Sequence, residues 1–473
     1  MNTRFTLITA TALSVLASLS SHAPADPVDE AIVGDAVLNN EAYRLLDTLT
    51  TRFGARLTGT DGNTRSMDFL EAELNALNIE TRRETTSIPG WTRSDDRVSL
   101  IHPHQRDLRA VAFGYVDRHD PFEAGVVFIE NREIDELEPD ELQGRVGLIA
   151  PGIRFSQQEF ERLVHDFGLR GALLINRVNG GQILGRVANH DGITPPLPIY
   201  SVTVEEGRWI QRQLEDGLDV RVRIETRSQP VEMTIDNLVA TLPGVSDQKI
   251  ILGAHFDSWD FGQGAIDNGV GIAQLFDTAR LLQAHSAINE HTVEFVWFNA
   301  EEWGLFGSRD YVERHDLGSV RVMINLDMAG RPIQINAMGF DELIPLLDTY
   351  SAKLGSWEFE KKTANKTWLG SDHHPFILKG VPSITFNAPF APEDVRYYHD
   401  FGDSFEKIDR EMLARATALT ALLIRDLAND TTSELRHYSE KETAELFRKA
   451  GLEKKMRKAG KWPFGETEAV GED

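Results

Sequence analysis

Two histidines and five acids in the C-terminal half of the chain stand where they could hold metal ions. His255 and Asp257 close the apolar run Ile250-Ile251-Leu252-Gly253-Ala254, and Asp267 follows His255 by twelve residues, past a Gly-rich turn. Glu301 and Glu302 follow the run at 293–298, Asp327 ends the one at 322–326, and His399 sits in a turn after the last strand candidate. Charged groups gathered at one place are costly unless they are paired or bind metal. Imidazoles and carboxylates without thiolates suit zinc, and manganese or cobalt take the same donors. Two metals roughly 3.5–4 Å apart need a bridging carboxylate, and Asp267, central in sequence, is the natural bridge. Asp257 is expected to accept a hydrogen bond from the free ring nitrogen of His255 and so fix its tautomer. The adjacent Glu301 and Glu302 can divide two roles, one on a metal and one as general base on the bridging water.

The elements that must position these groups alternate between strand and helix from Asp236 onward. Strands are expected at 237–242, 249–255, 292–299, 320–327 and 382–387, and helices at 270–283, 303–314, 342–354 and 410–427. That alternation predicts an α/β fold with a mixed, mostly parallel sheet sandwiched by helices. Ligands of such a sheet bind outside the carboxyl ends of its strands, which is where the acids and imidazoles fall. Upstream, 41–49 and 64–77 read as amphipathic helices, with Met67, Leu70, Leu74 and Leu77 at helical spacing. Between them and the catalytic half the texture changes to short apolar runs around one helical stretch at 157–167, then Pro195, Pro196 and Pro198. We therefore expect a catalytic domain from 26–110 and 231–430, interrupted by a smaller inserted α/β domain at 111–230. The charged segment 431–473 reads as a solvated helix and frayed tail.

Composition narrows the function classes. The 473 residues carry a formal net charge of -25, which disfavours a nucleic-acid partner. There is no cysteine, so thiolate metal sites and disulfides are excluded. Arg4, the uncharged run 5–20 and Ala23-Pro24-Ala25 have the form of a cleaved export signal over 1–25, which points to a secreted or periplasmic protein. No later run reaches the ~20 apolar residues a membrane span needs.

Taken together, these motifs resemble the co-catalytic zinc aminopeptidases, in particular carboxypeptidase Q-like metallopeptidases. Gly253-Ala254-His255-Phe256-Asp257-Ser258-Trp259-Asp260 and Gly262-Gln263-Gly264-Ala265-Ile266-Asp267 are similar to that family's metal loop. Ala300-Glu301-Glu302-Trp303-Gly304-Leu305, Asn325-Leu326-Asp327, Gly370-Ser371-Asp372-His373 and Tyr398-His399 continue the pattern in order. The resemblance implies two zinc ions, one on His255, Asp267 and Asp327 and the other on Asp267, Glu302 and His399. It implies Glu301 as the base that takes a proton from the metal-bridging water and returns it to the leaving amine. It further implies a cis peptide at Asp267-Asn268, a protease-associated insert that shields or shapes the site, and a small peptide with a free N-terminus as substrate. Relatives of this kind often form homodimers, and the Phe-bearing insert offers an interface.

Several residues are assigned no metal role. His373 and His374 match a motif near the site that supplies no ligand in the family pattern. His285, His291 and His315 read as ordinary surface or strand-edge histidines, and Trp259, Phe261, Trp297 and Trp303 as core packing. Trp368 stands near the position where some relatives steady the oxyanion with a tyrosine, and Tyr397 and Tyr398 are alternatives. Rival readings are a general aminopeptidase acting on longer peptides, a single-zinc acyltransferase of the glutaminyl cyclase type, and a catalytically silent binding protein. The uninterrupted Ser258-Trp259-Asp260 stretch favours the peptidase branch over the acyltransferase, and the intact ligand set with Glu301 argues against the silent one.

Overall fold

The computed structural model describes residues 26–130 and 133–465. The export signal expected at 1–25 and the last residues of the tail lie outside them.

The apolar run before His255 becomes the strand Ser246–His255, in which Ile250, Ile251, Leu252 and Ala254 are fully buried. It runs parallel to His291–Phe298 on one side and to Val320–Asn325 on the other, and Ser383–Asn387 adds a fourth parallel strand. A central parallel strand is covered on both faces, which is why its sequence is continuously apolar and not alternating. Gln229–Leu242 and then Glu80–Thr92 extend the sheet antiparallel on one side, and Gln334–Asn336 closes the other edge. The result is a mixed seven-stranded sheet with a parallel centre.

Alternate side chains of these strands feed two cores. Ile250, Leu252, Phe295 and Ile324 face the helices Val270–His285 and Arg410–Asn429. Ile251, Val296 and Met323 face Phe306–Arg314 and His373–Leu378 through Tyr311 and Phe376. The sheet is therefore sandwiched by helices, as the alternation predicts. An additional helix, Pro27–Leu38, starts at the Asp26 cap and docks through Asp35, whose carboxylate accepts from Arg280 at 2.9 and 3.0 Å.

A second sheet of eight strands stands apart in topology. Its order is Arg106–Asp107, Arg97–His102, Arg221–Thr226, His119–Ile129, Val146–Ile149, Gly171–Ile175, Ile199–Val202, Ala110–Ala112. It takes strands from residue 97 onward, upstream of the boundary expected at 111. Val98 and Leu100 point inward there, but Arg97, His102 and Arg106 around them mask the two-residue period.

The C-terminal segment is helical as expected, over Glu440–Lys449 and Glu453–Lys458, the first opened by a Ser439/Glu442 capping box, but one face of it is packed and not solvated. Leu446, Phe447, Met456 and Phe464 are buried in the main core, with Phe447 fully so. Few apolar residues scattered among many charges look solvated by composition, yet at helical spacing they form a stripe.

Candidate metal centre and catalytic base

Each expected ligand lies at or just beyond the carboxyl end of a parallel strand. His255 ends Ser246–His255, Glu301 and Glu302 follow His291–Phe298, Asp327 follows Val320–Asn325, and His399 lies in the loop beyond Ser383–Asn387. His255, Asp267 and Asp327 form one cluster and Asp267, Glu302 and His399 another, each with ligand atoms within 4.8 Å of one another. The two clusters share Asp267. Its Oδ1 is 2.9 Å from His255 Nε2 and its Oδ2 is 3.1 Å from His399 Nε2. Glu302 Oε2 lies 2.9 Å from His399 Nε2, and Asp327 Oδ1 lies 3.6 Å from His255 Nε2.

The residues fit a pair of cations. His255 Nδ1 is 3.1 Å from the carbonyl of Asp257 and His399 Nδ1 is 2.9 Å from that of Gly185. A carbonyl only accepts, so both Nδ1 atoms carry hydrogen and both Nε2 lone pairs face carboxylate oxygens. His399 Nε2 and Glu302 Oε1 are buried without a hydrogen bond, although carboxylate oxygens approach that nitrogen closely. Acceptors converging on acceptors are stable only around positive charge. The same demand shows in the histidines. Burial opposes charging His399, but Glu302 and Asp267 outweigh it and lift its pKa to about 10. Burial likewise pulls on His255, while Glu301, Asp257, Asp267 and Asp327 hold it well above the usual range.

Local backbone features hold the ligands in place. The Asp267-Asn268 peptide is cis, as the resemblance implies. The Asn268 side chain then brackets Asp327: its Nδ2 donates to Leu326 O at 2.8 Å, and its Oδ1 accepts from Met328 N at 3.0 Å. Ala300, Met328 and His399 adopt left-handed φ values of 57°, 52° and 55°. Such conformations cost of order 1 kcal/mol or more each and persist where surrounding bonds impose them.

Asp257 departs from its expected role. Its carboxylate stands 3.7 Å from His255 Nδ1, beyond a hydrogen bond, because better donors claim it. Oδ1 accepts from Glu301 N at 3.0 Å, and Oδ2 from Glu302 N and the Thr58 hydroxyl, both at 3.2 Å. Asp257 thus orients the two glutamates, and its backbone carbonyl orients His255.

Two further residues, Arg56 and the Asp403 that follows the Tyr398-His399 motif, are given no role by the sequence. The fully buried Arg56 guanidinium donates to the carbonyls of Phe256, Gln263 and Gly264 at 3.0, 2.9 and 2.7 Å, clamping the metal loop. Asp403 accepts from the amides of Ile266 and Asp267 at 2.6 and 3.0 Å, which fixes the shared aspartate. Gly264, between these clamps, has φ 59°, and a Cβ there would come within 2.3 Å of Ser258 Cβ. Only glycine fits that turn. Arg56 lies some two hundred residues from the loop it holds, so no spacing rule reveals it.

Glu301 carries no metal-cluster contact. Burial pushes its carboxyl well above the ordinary value; His255 opposes this, while Asp327, Glu302 and Asp372 add to it. That is the environment of a carboxylate ready to take a proton. Trp259 is more than packing, since its indole donates to Glu302 Oε2 at 2.8 Å while its ring stacks on Phe261. Trp368 packs edge-on to His373, whereas Tyr398 lies against the His399 ring at 3.6 Å between centroids. His373 and His374 join neither metal cluster, and His285, His291 and His315 bond to Asp35, Ser246 and Glu84.

Residues 237–424 match the profile of peptidase family M28, and every residue of the two clusters lies within that match. The chain is 24% identical to aminopeptidase YwaD of Bacillus subtilis over 88% of its own length and 93% of that protein. It is 22% identical to carboxypeptidase Q of Mus musculus over 84% of this chain and 88% of that one. Among solved structures, a peptidase M28 precursor from Shewanella amazonensis superposes with a TM-score of 0.77 at 23% identity, covering 87% of this chain and 98% of that one. BSAP, a zinc aminopeptidase from Bacillus subtilis, gives 0.69 at 20% identity over 85% and 98%. The α/β sheet fold is therefore that of M28 zinc aminopeptidases.

Proposed function

We propose that the chain is a di-zinc exopeptidase that hydrolyses dipeptides or short peptides with a free N-terminus, using Glu301 as general base. The observation that carries this reading is Asp267 shared between two carboxylate–imidazole clusters, beside a third carboxylate that belongs to neither. His255, Asp267 and Asp327 would hold one ion, and Asp267, Glu302 and His399 the other. When bound, the pair would supply Lewis-acid polarisation of the scissile carbonyl and make water more acidic. Similarity to a zinc aminopeptidase supports zinc over manganese or cobalt. Localisation outside the cytoplasm follows from the signal-like residues 1–25.

In this scheme Glu301 accepts a proton on a carboxylate oxygen as water adds to the carbonyl carbon. The C–N bond then breaks, and Glu301 returns the proton to the departing nitrogen, so the base is restored. Asp257 holds the Glu301 and Glu302 amides and thereby aims both side chains. Remaining acidic charge at the centre pairs with the substrate α-ammonium, which makes a free N-terminus a requirement.

The test is a rate panel on zinc-loaded protein with free dipeptides, their N-acetylated forms and aminoacyl anilides, with Glu301→Gln as control. Cleavage of free but not blocked dipeptides, lost in the variant with metal retained, supports the reading. A faster anilide than dipeptide would shift it to a general aminopeptidase. No cleavage with two metals bound would sink it.

A further inference from the structure

The inserted domain carries an open-mouthed depression with three arginines in its wall, Arg154, Arg177 and Arg186. The Arg177 guanidinium lies over Gly152, with Nη2 3.7 Å from where a Cβ would stand, and Arg186 packs on Phe113 with 5.7 Å from Cζ to the ring centroid. Among the described residues, no carboxylate comes within salt-bridge distance of any of the three. That is a distinctive arrangement in a chain with 74 acids against 49 Lys and Arg. Burial, then the neighbouring Arg154 and Arg177, pull the Arg186 pKa down to about 10. Like charges crowded without a counter-ion favour an anionic guest, and planar guanidinium groups match a carboxylate by paired N–H bonds.

The position of the depression tells what anion it meets. Leu184 and Arg186 line it, while Gly185 between them bonds to His399 through both its N–H and its carbonyl. One wall of the depression is thus a single residue step, about 3.8 Å, from a residue that holds the metal-site histidine. Tyr398 relates to both regions: its ring lies on His399, and its hydroxyl interacts electrostatically with Asp267, Glu302 and Arg186. An acid-rich centre next to an arginine-lined depression is complementary to a zwitterion, and an extended dipeptide spans only about 7 Å.

We propose that Arg154, Arg177 and Arg186 form a carboxylate subsite that receives the free C-terminal carboxylate of a short peptide whose N-terminal residue lies at the Asp267–His399 centre. This rests on the peptidase reading and deepens it, since such a subsite selects dipeptides over longer chains. Longer peptides place a neutral peptide group where the carboxylate would be and leave the arginines uncompensated.

Two measurements test it separately from the peptidase reading. The first compares zinc-loaded wild type, Arg186→Gln and Arg177→Gln on alanyl-alanine and alanyl-alanine amide at constant ionic strength. We expect the acid to have a KM lower than the amide by about tenfold in wild type. Each variant should raise the KM of the acid toward that of the amide, with kcat nearly unchanged, and Arg186→Lys should recover part of the difference. An acid-to-amide ratio that is the same in wild type and variants overturns the subsite while leaving the peptidase standing. Arg177 is exposed, so Arg177→Gln keeps the test valid if Arg186→Gln fails to fold. The second measurement titrates metal-free full-length chain with N-acetyl-alanyl-alanine, its amide, and inorganic phosphate, by calorimetry. Arg186-dependent binding of the acid alone supports the subsite even where no dipeptide is cleaved, in which case it is the peptidase reading that fails. Phosphate binding more tightly than the peptide acid, or no Arg186-dependent binding of either, overturns the substrate assignment.

Discussion

Gly185 and His399 are joined twice: Gly185 N donates to the His399 carbonyl at 2.9 Å, and His399 Nδ1 donates to the Gly185 carbonyl at 2.9 Å. Gly185 lies in the loop between Gly171–Ile175 and Ile199–Val202 of the second sheet and His399 in the candidate metal cluster, so that loop sets the orientation of a candidate ligand imidazole. The neighbouring Asp400 carboxylate accepts from Ile183 N of the same loop and reinforces the link.

A Cβ at Gly185 would fall 2.7 Å from both Phe261 Cε2 and Trp259 Cδ2, too close for the stacked pair to remain in place. Gly185→Ala should therefore push that loop off His399. Loss of such an outer-shell partner typically costs 10–100-fold in metal affinity. We expect the weaker of two zinc affinities, read by chelator competition, to fall by about that factor while the chain stays folded. Unchanged affinities would mean His399 is oriented without that loop.

Asp257 separates two roles that the sequence alone merges. Because its carboxylate serves the Glu301 and Glu302 amides and not His255, Asp257→Asn should misaim the base with little loss of zinc. We expect kcat to fall by roughly 10²-fold with zinc stoichiometry unchanged in the same sample. Loss of zinc with the rate per bound pair preserved would restore the histidine-orienting role.

His373 gives a pH dependence with a definite sign. It is fully buried, its Nε2 lies 3.0 Å from the Trp368 carbonyl, and its Nδ1 faces Asn325 Nδ2 at 3.3 Å, which fixes a neutral ring. Burial lowers its pKa to about 4, below the ordinary 6.5. The unfolded chain then binds the proton more readily, so stability is full above pH 6.5 and is lost as pH falls toward 4. The loss is of order 3 kcal/mol. Urea unfolding of metal-free protein should show wild type losing about that much relative to His373→Gln across this window. Parallel curves for the two proteins would refute the buried neutral ring.

Much of the site was legible because its groups follow strands whose apolar runs mark them plainly. His255, Asp267, Glu302, Asp327 and His399 come together as expected, and so does the cis Asp267-Asn268 peptide. The parts that were not legible depend on contacts between distant segments. Arg56 acts through backbone carbonyls, which leave no trace in residue type, and Gly185 contributes only its own backbone. Strand Arg97–His102 was hidden because its inward Val98 and Leu100 sit among charges. The C-terminal helix is legible from the sequence, but its buried face, Leu446, Phe447 and Met456, is hidden among charges for the same reason.

Phe447 makes that last point testable. It is fully buried against the main core, so Phe447→Ala should cost about 3–5 kcal/mol in urea unfolding. A change under about 0.5 kcal/mol would match a solvated surface site.

The most direct test of the whole account is zinc stoichiometry in wild type and Asp267→Ala, measured alongside dipeptide hydrolysis on the same samples. The shared aspartate predicts two zinc ions per chain in wild type, at most one in the variant, and hydrolysis lost with the second ion. Full wild-type activity with a single zinc, or two zinc ions and hydrolysis retained in Asp267→Ala, would contradict it.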